Sequence, residues 1–296
     1  MGACLCCKTA MVIPHTPLSE DQSVIRKQYK NCGYITEVRR SKIYKLKNIQ
    51  TGKFVTCKQT PRRRYKRCQH ETEILKLFNS KCLPKFIDTE LLTNGCYLYY
   101  EYIPGEDVFD AIFNDTKENI LELTLNEIKI LFEKMVDCLI ECKRYGIVHL
   151  DIKFENYIFD KKTNRMYLID FESARPLLGI NDLYKIPTYF GTYAFMAPEN
   201  WFFLYHNNSD VWNLGVCLWA LLIKKYPFDI MNLTRTTDDI HNVIKFRCIF
   251  PSVNHMNVMK NENFDNNLKD ILGRMFVFDP RNRITLEEVK AHPWLN

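Results

Sequence analysis

Apolar positions change their spacing along the chain. Ile35, Val38, Ile43, Tyr44, Phe54 and Val55 are strand formers within residues 34–59, and Thr51-Gly52 marks a turn between two runs. A helix is predicted over 65–78, where Glu71, Ile74, Leu75 and Leu77 fall at helical spacing. Residues 86–92 and 97–102 predict a strand pair across Thr93-Asn94-Gly95. Beyond Gly105 the period lengthens. Ile128, Leu131, Met135, Leu139 and Cys142 line one face of a long helix over 125–145. Two short strands flank Asp160-Lys161-Lys162-Thr163, and residues 211–223 are apolar nearly all round, which predicts a buried helix. Further helices are predicted over 268–276 and 286–292. The order is a small β-rich part and then a larger helical part, with the boundary near 103–105.

Residues 1–25 break this periodicity with Pro14, Pro17 and a polar run, and read as a tail. The longest nearly apolar stretch is 13 residues with Asn213 inside it, too short for a transmembrane helix, which needs about 20. The start of the chain lacks the features of a secretory signal. Twelve cysteines at irregular spacing predict neither a disulfide scaffold nor a zinc site, and point to a reducing compartment. The net charge of +6 is unevenly spread: residues 26–67 hold 15 Lys or Arg and one acid, Glu37, or +14, which leaves −8 for the rest. Such a surface suits lipid, phosphates or plain solvent. No nucleic-acid motif accompanies it, and nucleic acid is not an expected partner.

The densest chemistry is His149-Leu150-Asp151-Ile152-Lys153-Phe154-Glu155-Asn156, with Asp170-Phe171-Glu172 fourteen residues after Asn156. A carboxylate to orient a hydroxyl, a cation for a moving phosphate and oxygen ligands for Mg²⁺ are the parts that phosphoryl transfer needs. A charged loop beside a hairpin is the plainer alternative for these residues alone.

More motifs follow in order: Ala197-Pro198-Glu199, Ser209-Asp210-Val211-Trp212-Asn213-Leu214-Gly215, Asp279-Pro280 with Arg283, and His292-Pro293-Trp294. Val55-Thr56-Cys57-Lys58 and Glu71-Thr72-Glu73-Ile74-Leu75 precede them. Together these resemble the eukaryotic protein kinase family, of the Ser/Thr, calmodulin-dependent-kinase-like type, over residues 34–295. The resemblance implies an α+β bilobal fold. A tail over 1–25 is expected to precede a β-rich N-lobe over 26–103 and a helical C-lobe over 104–296.

It also implies ATP and Mg²⁺ as cofactors, a protein as substrate, and roles position by position. Lys58 contacts phosphates and pairs with Glu71. Asp151 accepts the substrate hydroxyl proton and Lys153 steadies the γ-phosphate. Asn156 and Asp170 hold Mg²⁺. Tyr100 is the gatekeeper, Glu101 and Ile103 belong to the hinge, and Asp107 meets the ribose. Ile43, Thr56 and Ile158 line the nucleotide. Thr36, Val38 and Ser41 stand at the three positions of the family's glycine loop, which weakens nucleotide binding. Glu172 replaces the glycine after Asp170-Phe171. Leu150 replaces an arginine that grips an activation-loop phosphate, so a phosphate on Thr188 is expected to matter little. Two readings follow, an active Ser/Thr kinase and a pseudokinase scaffold.

Met1-Gly2-Ala3-Cys4-Leu5-Cys6-Cys7 resembles a dual acylation signal, with myristate on Gly2 and palmitate on Cys4, Cys6 or Cys7. That predicts a peripheral protein on the cytosolic face of a membrane, with the basic cluster 62–67 assisting.

Overall fold

The computed structural model describes residues 25–113, 123–177, 179, 182–186, 191–227 and 264–296. The chain divides into two compact units. The first runs to Lys76 and resumes over Pro84–Tyr102; the second holds Leu77–Leu83 and everything from Ile103 onward.

Unit one is a five-stranded antiparallel sheet with one main helix. Strands β1 (Tyr29–Val38), β2 (Ser41–Asn48), β3 (Phe54–Thr60), β4 (Phe86–Leu92) and β5 (Gly95–Glu101) lie in the order β1-β2-β3-β5-β4. Pairing of Leu92 with Gly95 closes a two-residue turn at Thr93-Asn94 and puts Gly95 in the strand. The predicted strand region begins earlier than expected, at Tyr29, and contains a turn the sequence reading missed. Arg39 and Arg40 make it, with φ of 49° and 70°. Both occupy the left-handed region, which disfavours a residue with a Cβ.

Helix α1 (Tyr65–Leu75) buries Cys68, Glu71, Thr72, Ile74 and Leu75. A disulfide joins Cys68 on α1 to Cys96 on β5. The irregular cysteine spacing did not anticipate this bridge. The other face of the sheet has its own apolar cluster of Val55, Cys57, Leu92, Tyr97 and Tyr99, against which Ile25 and Tyr29 pack.

Unit two is mainly helical. β6 (Glu106–Asp107) leads into α2 (Val108–Phe113), and α3 (Leu125–Arg144) follows. A capping box at Thr124 starts α3: its hydroxyl accepts the Glu127 N–H while the Glu127 carboxylate accepts the Thr124 N–H. Then come β7 (Ile147–Val148), β8 (Tyr157–Asp160), β9 (Arg165–Leu168), β10 (Arg175–Pro176), β11 (Tyr184–Lys185), α4 (Pro198–Trp201), β12 (Leu204–Tyr205) and α5 (Ser209–Ile223). Two helices, α6 (Asn266–Met275) and α7 (Leu286–Lys290), close the chain. Helix α5 is buried from Ser209 to Leu221, as its nearly continuous apolar run predicts. No helix among the described residues is long and apolar enough to cross a membrane.

The segment 77–83 joins unit two through specific contacts. Tyr145 donates its hydroxyl to the Asn79 carbonyl and accepts the Asn79 N–H. Phe78 meets Phe171 edge to face, and the Leu168 N–H donates to the Cys82 carbonyl at 3.0 Å.

Candidate active site

Unit one contributes a row of side chains on one face of its sheet. Cross-strand register aligns Thr36 with Ile43, Ile43 with Lys58, and Thr56 with Tyr100. Lys58 is buried there, and its Nζ donates to Glu71 Oε2 at 2.7 Å. The expected pairing of Lys58 with Glu71 is therefore present, between side chains 3% exposed. Ile43 and Thr56 are buried and Tyr100 is half-buried, while Glu101 is exposed at the end of β5.

The three glycine-loop positions behave differently from one another. Thr36 is exposed on β1 and Val38 is half-buried beside the turn. Ser41 is fully buried, and its hydroxyl lies 3.0 Å from that of Thr60. The left-handed backbone sits at Arg39 and Arg40. The sequence signal for them was two adjacent arginines between strand formers, which carries no turn preference of its own.

Unit two holds the remaining groups. Ile103 is buried at its start, and Asp107 pairs in register with Ile158. Gly105 between them has φ of 141°, and a Cβ there would lie 2.5 Å from the Phe159 carbonyl oxygen, so only glycine fits. Asp107 Oδ1 accepts the Asp110 N–H at 2.9 Å. Burial pushes the Asp107 carboxyl up to about 6, and the nearby Asp110 and Glu155 charges add to the rise.

The loop 149–156 hangs from Asp210 at the start of α5. Its two carboxylate oxygens accept the N–H groups of His149 and Leu150, each at 2.7 Å. Burial pushes this carboxyl up, and those two bonds act against the shift. The Asp151 N–H donates to His149 Nδ1, which leaves Nε2 to donate to the Ile169 carbonyl at 3.0 Å. The imidazole is thereby fixed as the Nε2–H tautomer. Its ring meets Phe171 edge to face at 4.8 Å.

Asp151 is buried and held at both oxygens. Thr192 donates its hydroxyl to Oδ1 at 3.1 Å, and the Asn156 amide donates to Oδ2 at 3.2 Å. The same Asn156 NH₂ group donates to the Asp151 carbonyl at 2.7 Å. With its NH₂ so engaged, Asn156 has its amide oxygen to offer a cation. Gly191 has φ of 89°, and a Cβ there would meet the Leu150 carbonyl oxygen at 2.9 Å. Lys153 is half-exposed in extended backbone at the start of the 3₁₀ turn Phe154–Asn156.

Asp170 takes φ of 66°, a left-handed conformation that is costly for a residue with a Cβ and recurs at functional positions. Its carboxylate lies within 4.8 Å of that of Glu172. Glu172 is buried, so the residue in place of glycine brings a second carboxylate beside Asp170. The oxygens of Asn156, Asp170 and Glu172 are the hard donor set that Mg²⁺ takes. Leu150, where the resemblance expects arginine, packs in an apolar cluster with Val148, Ile186 and Tyr205. Thr188, Gly2, Cys4, Cys6 and Cys7 lie outside the described residues.

The later motifs converge on one ion pair. Arg283 donates to both carboxylate oxygens of Glu199, at 2.8 and 2.9 Å, and Ser209 donates to Glu199 Oε1 at 2.7 Å. Asn213 donates its amide to the Phe195 carbonyl.

Comparison with known proteins agrees with this geometry. The family model described as protein kinase domain matches residues 33–295. An SNF1-related protein kinase catalytic subunit, alpha KIN12, of Arabidopsis thaliana is 27% identical over 256 residues, 84% of this chain and 47% of the relative. CBL-interacting serine/threonine-protein kinase 8 of the same plant is 28% identical, over 86% of this chain and 54% of its own. Protein kinase kin1 of Schizosaccharomyces pombe is 26% identical, over 86% of this chain and 26% of its own. The chain thus spans about half or less of the length of these curated relatives. With the family model covering nearly all of its folded residues, the chain belongs to the protein kinase family.

Proposed function

We propose that the protein is an active serine/threonine kinase that moves the γ-phosphoryl group of ATP to a protein hydroxyl. The observation that carries this reading is the Lys58–Glu71 pair. Burying two charges costs several kcal/mol per ion, and an apolar pair of similar size is often as stable. A scaffold has no need of that pair; a phosphate-binding lysine does.

In this reading Asp151, whose orientation is held by hydrogen bonds to both oxygens, accepts the hydroxyl proton. Lys153 supplies a cation for the transferred group. Mg²⁺, when bound, neutralises phosphate charge, and Asn156 and Asp170 are its ligands in this reading, with Glu172 in reach. In place of glycine amides, the turn at Arg39-Arg40 offers guanidinium groups to the phosphates. One oxygen of Glu155, Oε2, is buried without a hydrogen-bond partner among the described residues. In this reading the Glu155 charge draws an arginine of the protein substrate, which favours basic sequences beside the acceptor.

The test is phosphate transfer to a basic Ser/Thr peptide by wild type and Asp151→Asn. Wild type turns over, and the variant binds ATP but does not. Transfer at equal rates overturns the role of Asp151. ATP binding without any turnover in wild type favours the scaffold reading, for which the missing glycines and Glu172 speak.

The acylation-like start supports a second element of the reading, residence on a membrane through Gly2 and at least one of Cys4, Cys6 and Cys7. One myristoyl chain binds only reversibly, with K of about 10⁴ M⁻¹, so a second lipid is needed. Gly2→Ala is expected to release the protein on fractionation. Unchanged membrane binding of that variant overturns this element.

A further inference from the structure

A second chemically distinctive place lies in unit two, where the segment 77–83 packs on α3 and β9. Cys82 is half-buried there. Its sulfur lies 3.5 Å from the Ser80 hydroxyl, and Cys138 lines the same recess as Cys82. Cys138 is buried on α3, and its thiol donates to the Met166 carbonyl at 3.5 Å. Both cysteines are thiols. A recess of about 160 Å³ opens beside them, lined also by Lys81, Lys134, Asp137, Arg165 and Met166.

The two thiols differ in character. The polar neighbours Cys138 and Ser80 hold the Cys82 thiol below its usual range, against partial burial and the charges of Glu141 and Asp137. Burial pushes the Cys138 thiol well up. Cys82, half-buried at the recess, is the thiol that a reagent reaches, and Cys138 lies buried on the same recess. The recess adds a charge pattern. Lys81, Lys134 and Arg165 are three cations, with Asp137 as a single acid. A tripeptide thiol such as glutathione carries two carboxylates and one ammonium, which is the complementary arrangement.

We propose that Cys82 is a modification site for anionic disulfides of the glutathione class, with Cys138 as the resolving thiol. The Cys82 thiolate attacks one sulfur of glutathione disulfide. The S–S bond of that reagent breaks, a Cys82–glutathione disulfide forms, and one glutathione leaves and takes up a proton. Cys138 then gives up its proton and attacks the Cys82 sulfur, which releases the second glutathione as a thiol. The sum is two protein thiols oxidised to a Cys82–Cys138 disulfide and one glutathione disulfide reduced to two thiols. The product staples the segment 77–83 to α3.

The experiment follows the intact protein in glutathione disulfide at neutral pH by peptide mass spectrometry. Exposed Cys32 is the internal reference. Cys82 reacts about tenfold faster than Cys32, and the adduct converts to a Cys82–Cys138 crosslink. Cys138→Ala halts the reaction at the mixed disulfide. Lys81→Glu with Arg165→Glu, both at exposed positions, slows the glutathione reaction at Cys82 about tenfold and leaves its reaction with neutral methyl methanethiosulfonate unchanged. Equal rates at Cys82 and Cys32 overturn the site. A crosslink to another cysteine overturns the role of Cys138. Equal slowing of both reagents overturns the role of the cations.

Discussion

Two buried ion pairs, one in each unit, are built to different rules. Arg283 places its five N–H donors on five acceptors: both oxygens of Glu199 and the carbonyls of Asn208, Val277 and Phe278. Its guanidinium also lies over the Trp212 ring. The fork holds two backbone segments, at Asn208 and at Val277-Phe278, as well as a carboxylate, so its purpose is architecture. Lys58 brings a compact ammonium to Glu71 at 2.7 Å. Such a group has no planar fork to lock several acceptors at once, and it suits a site whose partner includes a ligand. Burial alone does not separate structure from function; the geometry of the donor does.

The difference is broken most severely at Arg283. Arg283→Ala is expected to cost about 3–5 kcal/mol in denaturant unfolding, since Glu199 is left buried without its partner. Arg283→Met with Glu199→Gln recovers little of that loss, because the three carbonyls stay without their donor. Recovery to wild-type stability contradicts the architectural role.

Lys58→Met with Glu71→Gln sharpens the contrast. Its stability stays within about 1 kcal/mol of wild type, since neutral groups replace a pair whose burial is expensive. Phosphate transfer is nonetheless abolished. A double variant that still turns over removes the argument on which the kinase reading rests.

A smaller effect is expected at the β1–β2 turn. Left-handed backbone costs about 1–2 kcal/mol for each residue with a Cβ, and Asn-Gly is the preferred pair for such a turn. Arg39→Asn with Arg40→Gly is expected to raise the melting temperature and, with two guanidinium groups lost, to raise the Michaelis constant for ATP. If that constant falls, the arginines have no part in holding phosphates.

The smallest effect concerns Asp107. Its carboxyl is pushed up to about 6, so it takes up a proton as pH falls through that value. A neutral carboxyl accepts more weakly from a ribose hydroxyl, and the Michaelis constant for ATP is expected to rise below about pH 6. Asp107→Asn flattens that dependence. An unchanged profile places Asp107 outside nucleotide binding.

Much of this was legible because the helices announce themselves. The run at 211–223 is helical as read and buried through Leu221, and the apolar face of Ile128, Met135, Leu139 and Cys142 marks α3. The loop 149–156 stood out because its charged groups are local, with Asp151, Lys153 and Asn156 within six positions, but only its resemblance to a kinase motif set it apart from a plain charged loop. What escaped depends on contacts far apart in sequence. Cys68 meets Cys96 across 28 residues, and no spacing rule links them. Arg39 and Arg40 break the usual link between turn and residue type. Ser41 lies at an expected glycine position, yet its hydroxyl faces Thr60, a partner set by strand register. The carboxylate of Glu172 beside Asp170 also needed the backbone to be seen.

Leu150 carries a consequence for timing. A clasp of leucine, valine, isoleucine and tyrosine forms as the chain folds and has no charge for a phosphatase to erase. Its strength depends weakly on ionic strength, and it weakens on cooling, as apolar contacts do. This contact is therefore set once, by folding, and keeps no mark that a later enzyme could remove.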